Sequence, residues 1–223
     1  MANQDESFIR EVNEELRSDQ VRAFWRRFGR VLIAVAVLFV LGTIGKVGYE
    51  YWREREASAA GDKFLSALTQ IREGNRDEGQ KQLAALEQEG FGAYPVLARM
   101  RSASLLAEGG DAAGAVTAFS AIANDGSVPQ AIRDAARLRA AYLLVDTGTY
   151  EQVAAEAEQL TNAASPMRHS AREVLGLSAY KAGDFARAKE WLEQVVNDAE
   201  APRNLSNRAQ MLLDLIAASG KAS

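Results

Sequence analysis

The longest apolar segment of the chain lies near its N-terminus. Residues 31–45 contain no charged side chain, and the run extends through residue 49 with only Lys46 interrupting it. A helix needs about 20 apolar residues to cross a bilayer. Aromatic residues flank the run, as in the interfacial belts of membrane helices: Phe24, Trp25, Tyr49, Tyr51 and Trp52. The pattern predicts one transmembrane helix, with a span of about 31–49.

Two other structures would share part of this pattern. A buried helix of a soluble protein could also carry a 15-residue apolar core, but the aromatic flanks favour a membrane span. A cleaved signal peptide would need a charged leader of 30 residues, and the nearest small-x-small sequence, Ala57-Ser58-Ala59, follows five charged residues. We therefore expect an uncleaved anchor.

Basic residues determine the expected orientation of that anchor. Within 20 residues of the uncharged run 31–45, five arginines precede it and four lysines or arginines follow it, Lys46 included. Four of the five are packed directly against the span without an acidic residue among them: Arg22, Arg26, Arg27 and Arg30. By the positive-inside rule we expect the N-terminus in the cytoplasm and everything after Trp52 on the other side of the membrane.

Two further patterns concern the anchor and the tail before it. Gly42, Gly45 and Gly48 recur every three residues, and small residues at such spacing allow close helix–helix contact in lipid. Residues 1–21 are acidic, with an apolar stripe of Phe8, Val12 and Leu16 that predicts a short amphipathic helix. Two interpretations of the tail remain open: it docks on a membrane protein or on headgroups, or it is a cytosolic spacer.

Beyond residue 57 the sequence is rich in helix formers and punctuated at regular intervals. Turn glycines, each followed by a residue suited to cap the next helix, recur at intervals of 36, 38 and 35 residues: Gly74, Gly110, Gly148 and Gly183. The four prolines recur at intervals of 34, 37 and 36 residues: Pro95, Pro129, Pro166 and Pro202. A shared period near 36 indicates a solenoid of helix pairs.

One stripe of small or apolar residues repeats in every unit. These residues lie 5, 9 and 12 positions after the turn glycine: Gly79, Leu83 and Leu86; Ala115, Phe119 and Ile122; Val153, Ala157 and Leu160; Ala188, Leu192 and Val195. Steps of four and three residues place them on one buried helix face. We therefore expect an all-α chain with an acidic tail at 1–21, an anchor with its flanks at 22–56, repeats at 57–202, and a closing helix and tail at 203–223.

Composition and candidate chemistry favour a binding protein over an enzyme. The net charge is −4, so no basic nucleic-acid footprint is present, and there is no cysteine. We expect the single histidine, His169, to be solvated, and likewise the carboxylate pairs Glu156/Glu158 and Glu190/Glu193. No phosphate loop, nucleophile elbow or metal-ligand spacing occurs. We expect no catalytic residue, metal, cofactor or small-molecule substrate.

The repeats resemble the tetratricopeptide repeat family. The best unit has Leu175-Gly176, Tyr180, Gly183-Asp184-Phe185, Ala188 and Pro202, whereas the first unit is degenerate and the family's early tryptophan is missing throughout. The resemblance implies a right-handed helical solenoid of about four helix pairs plus a closing helix. It also implies a groove lined by the first helix of each pair, for an apolar segment or a folded partner: Phe64, Leu68, Leu97, Met100, Leu138, Tyr142, Leu177, Tyr180 and Lys181.

The order of tail, arginine cluster, span and repeats looks like that of the YfgM-type ancillary subunits of the bacterial SecYEG translocon. That resemblance implies an inner-membrane protein whose C-terminal domain lies in the periplasm. Its partners would be the translocon and periplasmic chaperones. The alternative is a general envelope scaffold, or a self-assembling repeat protein, that anchors another inner-membrane complex.

Overall fold

The computed structural model describes the backbone of residues 2–220 and the side chains of residues 25–31 and 33–220. Every regular element in this part of the chain is helical. The α-helices are α1 Ala2–Arg72, α2 Arg76–Glu89, α3 Tyr94–Glu108, α4 Ala112–Ala123, α5 Gln130–Thr147, α6 Tyr150–Ala157, α7 Arg168–Lys181, α8 Phe185–Val196 and α9 Arg203–Ala218, and a short 3-10 helix, Glu158–Leu160, follows α6. The chain forms two compact units, Met1–Ser58 and Ala59–Ser223.

The first unit is the N-terminal part of α1. The stripe of Phe8, Val12 and Leu16 lies outside the described side chains. The apolar side chains of the predicted span are exposed, with Phe39 at 76% and Leu38 at 68%. The most apolar 18-residue window has a mean hydropathy of 2.3, and none of it is buried. Within the described residues α1 is the one helix long and apolar enough to cross a membrane. Its exposure argues against a buried core helix.

The second unit consists of four helix pairs and a closing helix, as the period predicts. The last part of α1 pairs with α2, α3 with α4, α5 with α6, and α7 with α8, while α9 packs on α8 and α7. Each proline lies at the start of a first helix or of α9: Pro95 is the second residue of α3, Pro166 lies two residues before α7, and Pro129 and Pro202 immediately precede α5 and α9. Proline is tolerated there because the first amide groups of a helix have no intrahelical acceptor.

The core lies where the helices of each pair meet. All twelve positions of the repeating stripe are buried, which confirms that prediction. Alanine supplies much of the contact surface, for example Ala115, Ala136 and Ala140 at 0% exposure around Phe119. These small side chains let the helix backbones approach closely.

Three of the four turn glycines end their helices in the left-handed conformation. Gly74, Gly110 and Gly183 have φ of +93°, +89° and +80°. After α7 the amide groups of Gly183 and Asp184 donate to the carbonyls of Tyr180 and Ala179, which is the Schellman pattern. Gly148 instead has an extended backbone, with φ −120° and ψ −167°.

The residue after each turn glycine was expected to cap the next helix through its side chain. Asp111, Thr149 and Asp184 do so, and Thr149 forms a full capping box with Gln152. Asn75 makes no such cap, and its side-chain amide group donates to Gln70 Oε1 at 2.9 Å instead.

Candidate functional site: the first-helix face

We call the surface that carries the nine predicted groove residues the first-helix face. Leu97 and Tyr142 are its most exposed apolar side chains, each at 37%, and Lys181 is also exposed. The other six are half-buried: Phe64, Leu68, Met100, Leu138, Leu177 and Tyr180. Several of these pack sideways, since the ring of Phe64 lies 6.0 Å from that of Tyr94, and Tyr180 meets Phe185 edge-on at 5.5 Å.

A pocket opens on this face between α3, α4 and α5. Its volume is about 340 Å³, at the small end of the range for ligand pockets. Tyr142 is the one predicted groove residue in its wall. The lining residues are Arg101, Ser104, Ala107, Glu108, Phe119, Arg139, Tyr142 and Leu143. The size suits one large side chain of a partner rather than an extended ligand.

The pocket carries one uncompensated positive charge. Arg101 donates two hydrogen bonds to the carboxylate of Glu108, at 2.6 and 3.3 Å, so these charges cancel. Arg139 donates to Ser104 Oγ at 2.8 Å, and its guanidinium lies 5.8 Å from the centre of the Phe119 ring. No carboxylate in the described chain lies within 4.0 Å of Arg139.

Tyr142 also belongs to a buried polar network that the sequence did not reveal. Its hydroxyl donates to Glu173 Oε2 at 2.9 Å, and Arg208 donates to both oxygens of that carboxylate at 2.6 and 2.8 Å. Glu173 is only 4% exposed. Burial, followed by the negative charge of Glu173, raises the pKa of Tyr142, so its hydroxyl remains a donor. The available signal was that Glu173 is the single acidic residue of α7.

Lys181 was the candidate for binding a partner's carboxylate. Its Nζ atom instead lies 2.9 Å from Asp146 Oδ1 on α5. The pair is exposed, so it contributes little to stability, but it compensates the lysine's charge. Of Arg101, Arg139 and Lys181, Arg139 is therefore the one without a carboxylate partner in the described chain.

A family model described as a tetratricopeptide repeat-like domain matches residues 22–170, which is more than half of the chain. The chain belongs to this tetratricopeptide repeat-like family. Domains of this kind are typically non-enzymatic interaction or scaffold folds. No curated protein and no solved structure matches the chain.

The tetratricopeptide repeat-like domain buries its single histidine, so the expectation that His169 is solvated is wrong. His169 is 5% exposed, and its Nε2 atom lies 2.9 Å from Asp198 Oδ2 in the turn between α8 and α9. Hydrogen bonds from the Glu200 backbone amide, from His169 and from Arg168 lower the pKa of Asp198. The helix start expected to be at the surface is covered, because this turn folds back over it.

Glu156 is likewise not solvated, unlike Glu158, Glu190 and Glu193. Its side chain is 14% exposed and accepts a hydrogen bond from Ser120 Oγ at 2.6 Å. Arg137 lies 3.4 Å from the same carboxylate and also donates to the Ala123 carbonyl, at the end of α4, at 3.1 Å. This carboxylate therefore joins two neighbouring tetratricopeptide repeat-like units. It is too buried to meet a ligand from solvent.

A basic residue recurs at one position of each tetratricopeptide repeat-like unit. Lys63, Arg99, Arg137 and Arg172 each lie 11 residues before the turn glycine. Arg172 donates to the carbonyl of Thr161 at 3.1 Å, just as Arg137 donates to that of Ala123. Ala123 is the last residue of α4, and Thr161 directly follows the short 3-10 helix after α6. Both carbonyls therefore stand at helix ends, where cations are favoured. Arg99 pairs within its own unit, with Asp125 at 2.7 Å.

The predicted glycine contact lies outside the tetratricopeptide repeat-like units. Gly42, Gly45 and Gly48 are exposed on α1, and a Cβ atom added at any of them would meet nothing within 4 Å. Among the described residues no three His, Cys, Asp or Glu side chains come together as a metal site.

Proposed function

We propose that this tetratricopeptide repeat-like protein is a membrane-anchored, non-enzymatic interaction subunit whose first-helix face binds a partner polypeptide. The observation that carries the proposal is the pocket of about 340 Å³ between α3, α4 and α5. It lies on the same face as Leu97 and Tyr142, the most exposed apolar residues of the predicted groove. An exposed apolar face with an adjacent pocket is typical of protein interaction sites.

The chemistry of the face supports an apolar partner segment. In this proposal one large apolar side chain of the partner enters the pocket. Arg139 would meet a polar or acidic group beside that side chain. The remaining predicted residues would form a low apolar surface around it, with Lys181 and Asp146 at its edge.

Because of the anchor, a weak contact between the first-helix face and its partner would be sufficient for binding. A domain confined to a membrane surface meets a partner at high effective concentration, so few strong contacts are needed. Gly42, Gly45 and Gly48 leave open space along α1, which supports their use as a contact for another membrane helix. Residues 1–56 would then select a membrane partner, while the repeats recruit a second one.

At a finer level, we propose a role like that of the YfgM-type subunits. The span and the tail would bind the SecYEG translocon in the inner membrane, with the N-terminus in the cytoplasm. The first-helix face would recruit periplasmic chaperones or client proteins. The alternative function is a general envelope scaffold or a self-assembling repeat protein.

Co-purification of the full chain in mild detergent tests the proposal. The variant Leu97→Ser/Arg139→Gln changes two side chains of the first-helix face without touching Glu173. We expect this variant to recover at least about tenfold less of the soluble partner, because a few central contacts supply most of the binding free energy. Leu65→Ser is the matched control, since Leu65 is 62% exposed but outside the predicted groove.

A second variant tests the division between anchor and face. Replacing residues 1–56 with an unrelated anchor should abolish recovery of the translocon and leave the soluble partner bound. If one variant loses both partners while folded and inserted, the division is wrong. Recovery of further copies of this chain alone would establish the self-assembling alternative.

A further inference from the structure

The residues just before the apolar run of α1 form a compact cationic and aromatic surface. Arg26 and Arg30 are exposed and one helical turn apart, on the same side of α1. Trp25 and Phe28 are 54% and 43% exposed, and the Arg27 guanidinium lies 5.7 Å from the centre of the Phe28 ring. The exposed apolar residues of the predicted span begin at Val31.

Gly29 is the position that shapes this surface. It is buried, although its neighbours along this part of α1 are exposed. A Cβ atom at Gly29 would lie 2.9 Å from the ring of Trp25, so the indole packs against the glycine. Residues 25 and 29 form one stripe of the helix, and residues 26 and 30 form the next. The indole therefore lies on the stripe next to the one that carries Arg26 and Arg30.

Among the described side chains, none neutralises the charge of this surface. No acidic residue occurs between Asp19 and Glu50. In the part of the chain whose side chains are described, no carboxylate lies within 4.0 Å of Arg26 or Arg30. Two arginines about 6 Å apart match a phosphodiester group, because guanidinium binds phosphate with two parallel hydrogen bonds. An indole at the same level is suited to the headgroup region of a bilayer.

We propose that Trp25, Arg26 and Arg30 form a binding site for the headgroup of an anionic phospholipid. The inference rests on the membrane anchor of the proposed function and adds its lipid preference. Gly29 gives the indole room to lie on the helix, while Arg26 and Arg30 hold the phosphate. Arg27, whose guanidinium lies over the Phe28 ring, adds positive charge but does not contact the phosphate in this proposal.

Retention of lipid by the full chain tests this site. The protein is reconstituted into bilayers of phosphatidylcholine with a minor fraction of phosphatidylglycerol, and extracted into mild detergent. Native mass spectrometry then counts each lipid retained. We expect phosphatidylglycerol to be retained preferentially over phosphatidylcholine. Arg26→Gln/Arg30→Gln should lower that preference by about fivefold for each arginine removed.

The matched control is Arg53→Gln/Arg55→Gln, which makes the same change of charge at two exposed positions after the apolar run. It should leave the preference unchanged. Equal losses in both variants would assign the effect to overall charge and overturn the site. If inorganic phosphate added during extraction displaces the phosphatidylglycerol, the site binds phosphate in general and the lipid assignment is wrong.

Flotation with the vesicles separates this inference from the proposed anchor. A chain that does not float with vesicles contradicts the anchor itself. A chain that floats but shows no lipid preference contradicts only the headgroup site. Capture of an acidic soluble protein by Arg26 and Arg30 in place of lipid would overturn the site as well.

Discussion

A single carboxylate, that of Glu173, connects three helices of the repeat domain. Glu173 lies on α7, and its carboxylate accepts hydrogen bonds from Tyr142 on α5 and from Arg208 on α9. A buried carboxylate is costly unless charged or polar partners satisfy it. Among the described residues Arg208 is the cation that pairs with this carboxylate, so the ion pair links α9 to α7 beside their apolar contact.

Arg208→Met should therefore destabilise the repeat domain by about 1–3 kcal/mol, since it leaves Glu173 buried without its cation. Urea unfolding of a chain that begins at residue 57 measures this. Glu173→Gln/Arg208→Met should lose less than the sum of the two single changes. Arg203→Met, at an exposed position of the same helix, is the control and should stay within about 0.5 kcal/mol. Equal behaviour of Arg208→Met and Arg203→Met would contradict the network's role.

At the scale of the element, the contact between α7 and α8 depends on Gly176. A Cβ atom there would lie 2.7 Å from Leu192 Cγ and 3.4 Å from the carbonyl oxygen of Ala188. Leu192 is fully buried and has no room to move aside. The two helices can approach this closely because the position carries no side chain.

Gly176→Ala should cost about 1–3 kcal/mol through overpacking, which lowers Tm by roughly 2–12 °C for a domain of this size. Gly126→Ala is the control, because a Cβ atom at Gly126 meets nothing within 4 Å. Thermal unfolding followed by circular dichroism measures both variants. A Gly176→Ala variant as stable as the control would mean that α7 and α8 can separate without penalty.

How much the sequence could predict differs between apolar and polar residues. The helix pairs and the buried stripe of Ala188, Leu192 and Val195 follow from local spacing, which also sets the burial of a helix face. Contacts between polar side chains do not follow from spacing. His169 meets Asp198 across 29 positions, and Tyr142 meets Glu173 across 31. The pocket beside Tyr142 was missed for the same reason, because α3, α4 and α5 all contribute to its wall.

The turns show a second limit of the sequence. Gly74 and Gly148 both match the expected pattern of a glycine followed by a capping residue. Only Gly74 adopts a positive φ, whereas Gly148 is extended beside the capping box of Thr149. Two backbone conformations therefore follow from the same sequence pattern of glycine and capping residue.

At the scale of the whole molecule, the orientation in the membrane can be tested directly because the chain has no cysteine. Ala164 is exposed in the turn before α7, so Ala164→Cys provides a reactive thiol on the repeat domain. In intact cells it should react with a membrane-impermeant maleimide, and Ser7→Cys should react only after the membrane is permeabilised. The physical reason is the arginine cluster before the span, which favours the cytoplasmic side. The reverse labelling pattern would invert the assignment.

The recurring arginines have a consequence for how such a chain can change in length during evolution. Arg137 and Arg172 each belong to one unit and bind the end of the unit before it. Gain or loss of a complete unit, about one period of the chain, preserves both halves of a junction built this way. A change that removes one of these arginines but keeps the helix end that it binds leaves that end without its counterpart. Addition or loss of a complete unit should therefore be tolerated more readily than a change within one of these two junctions.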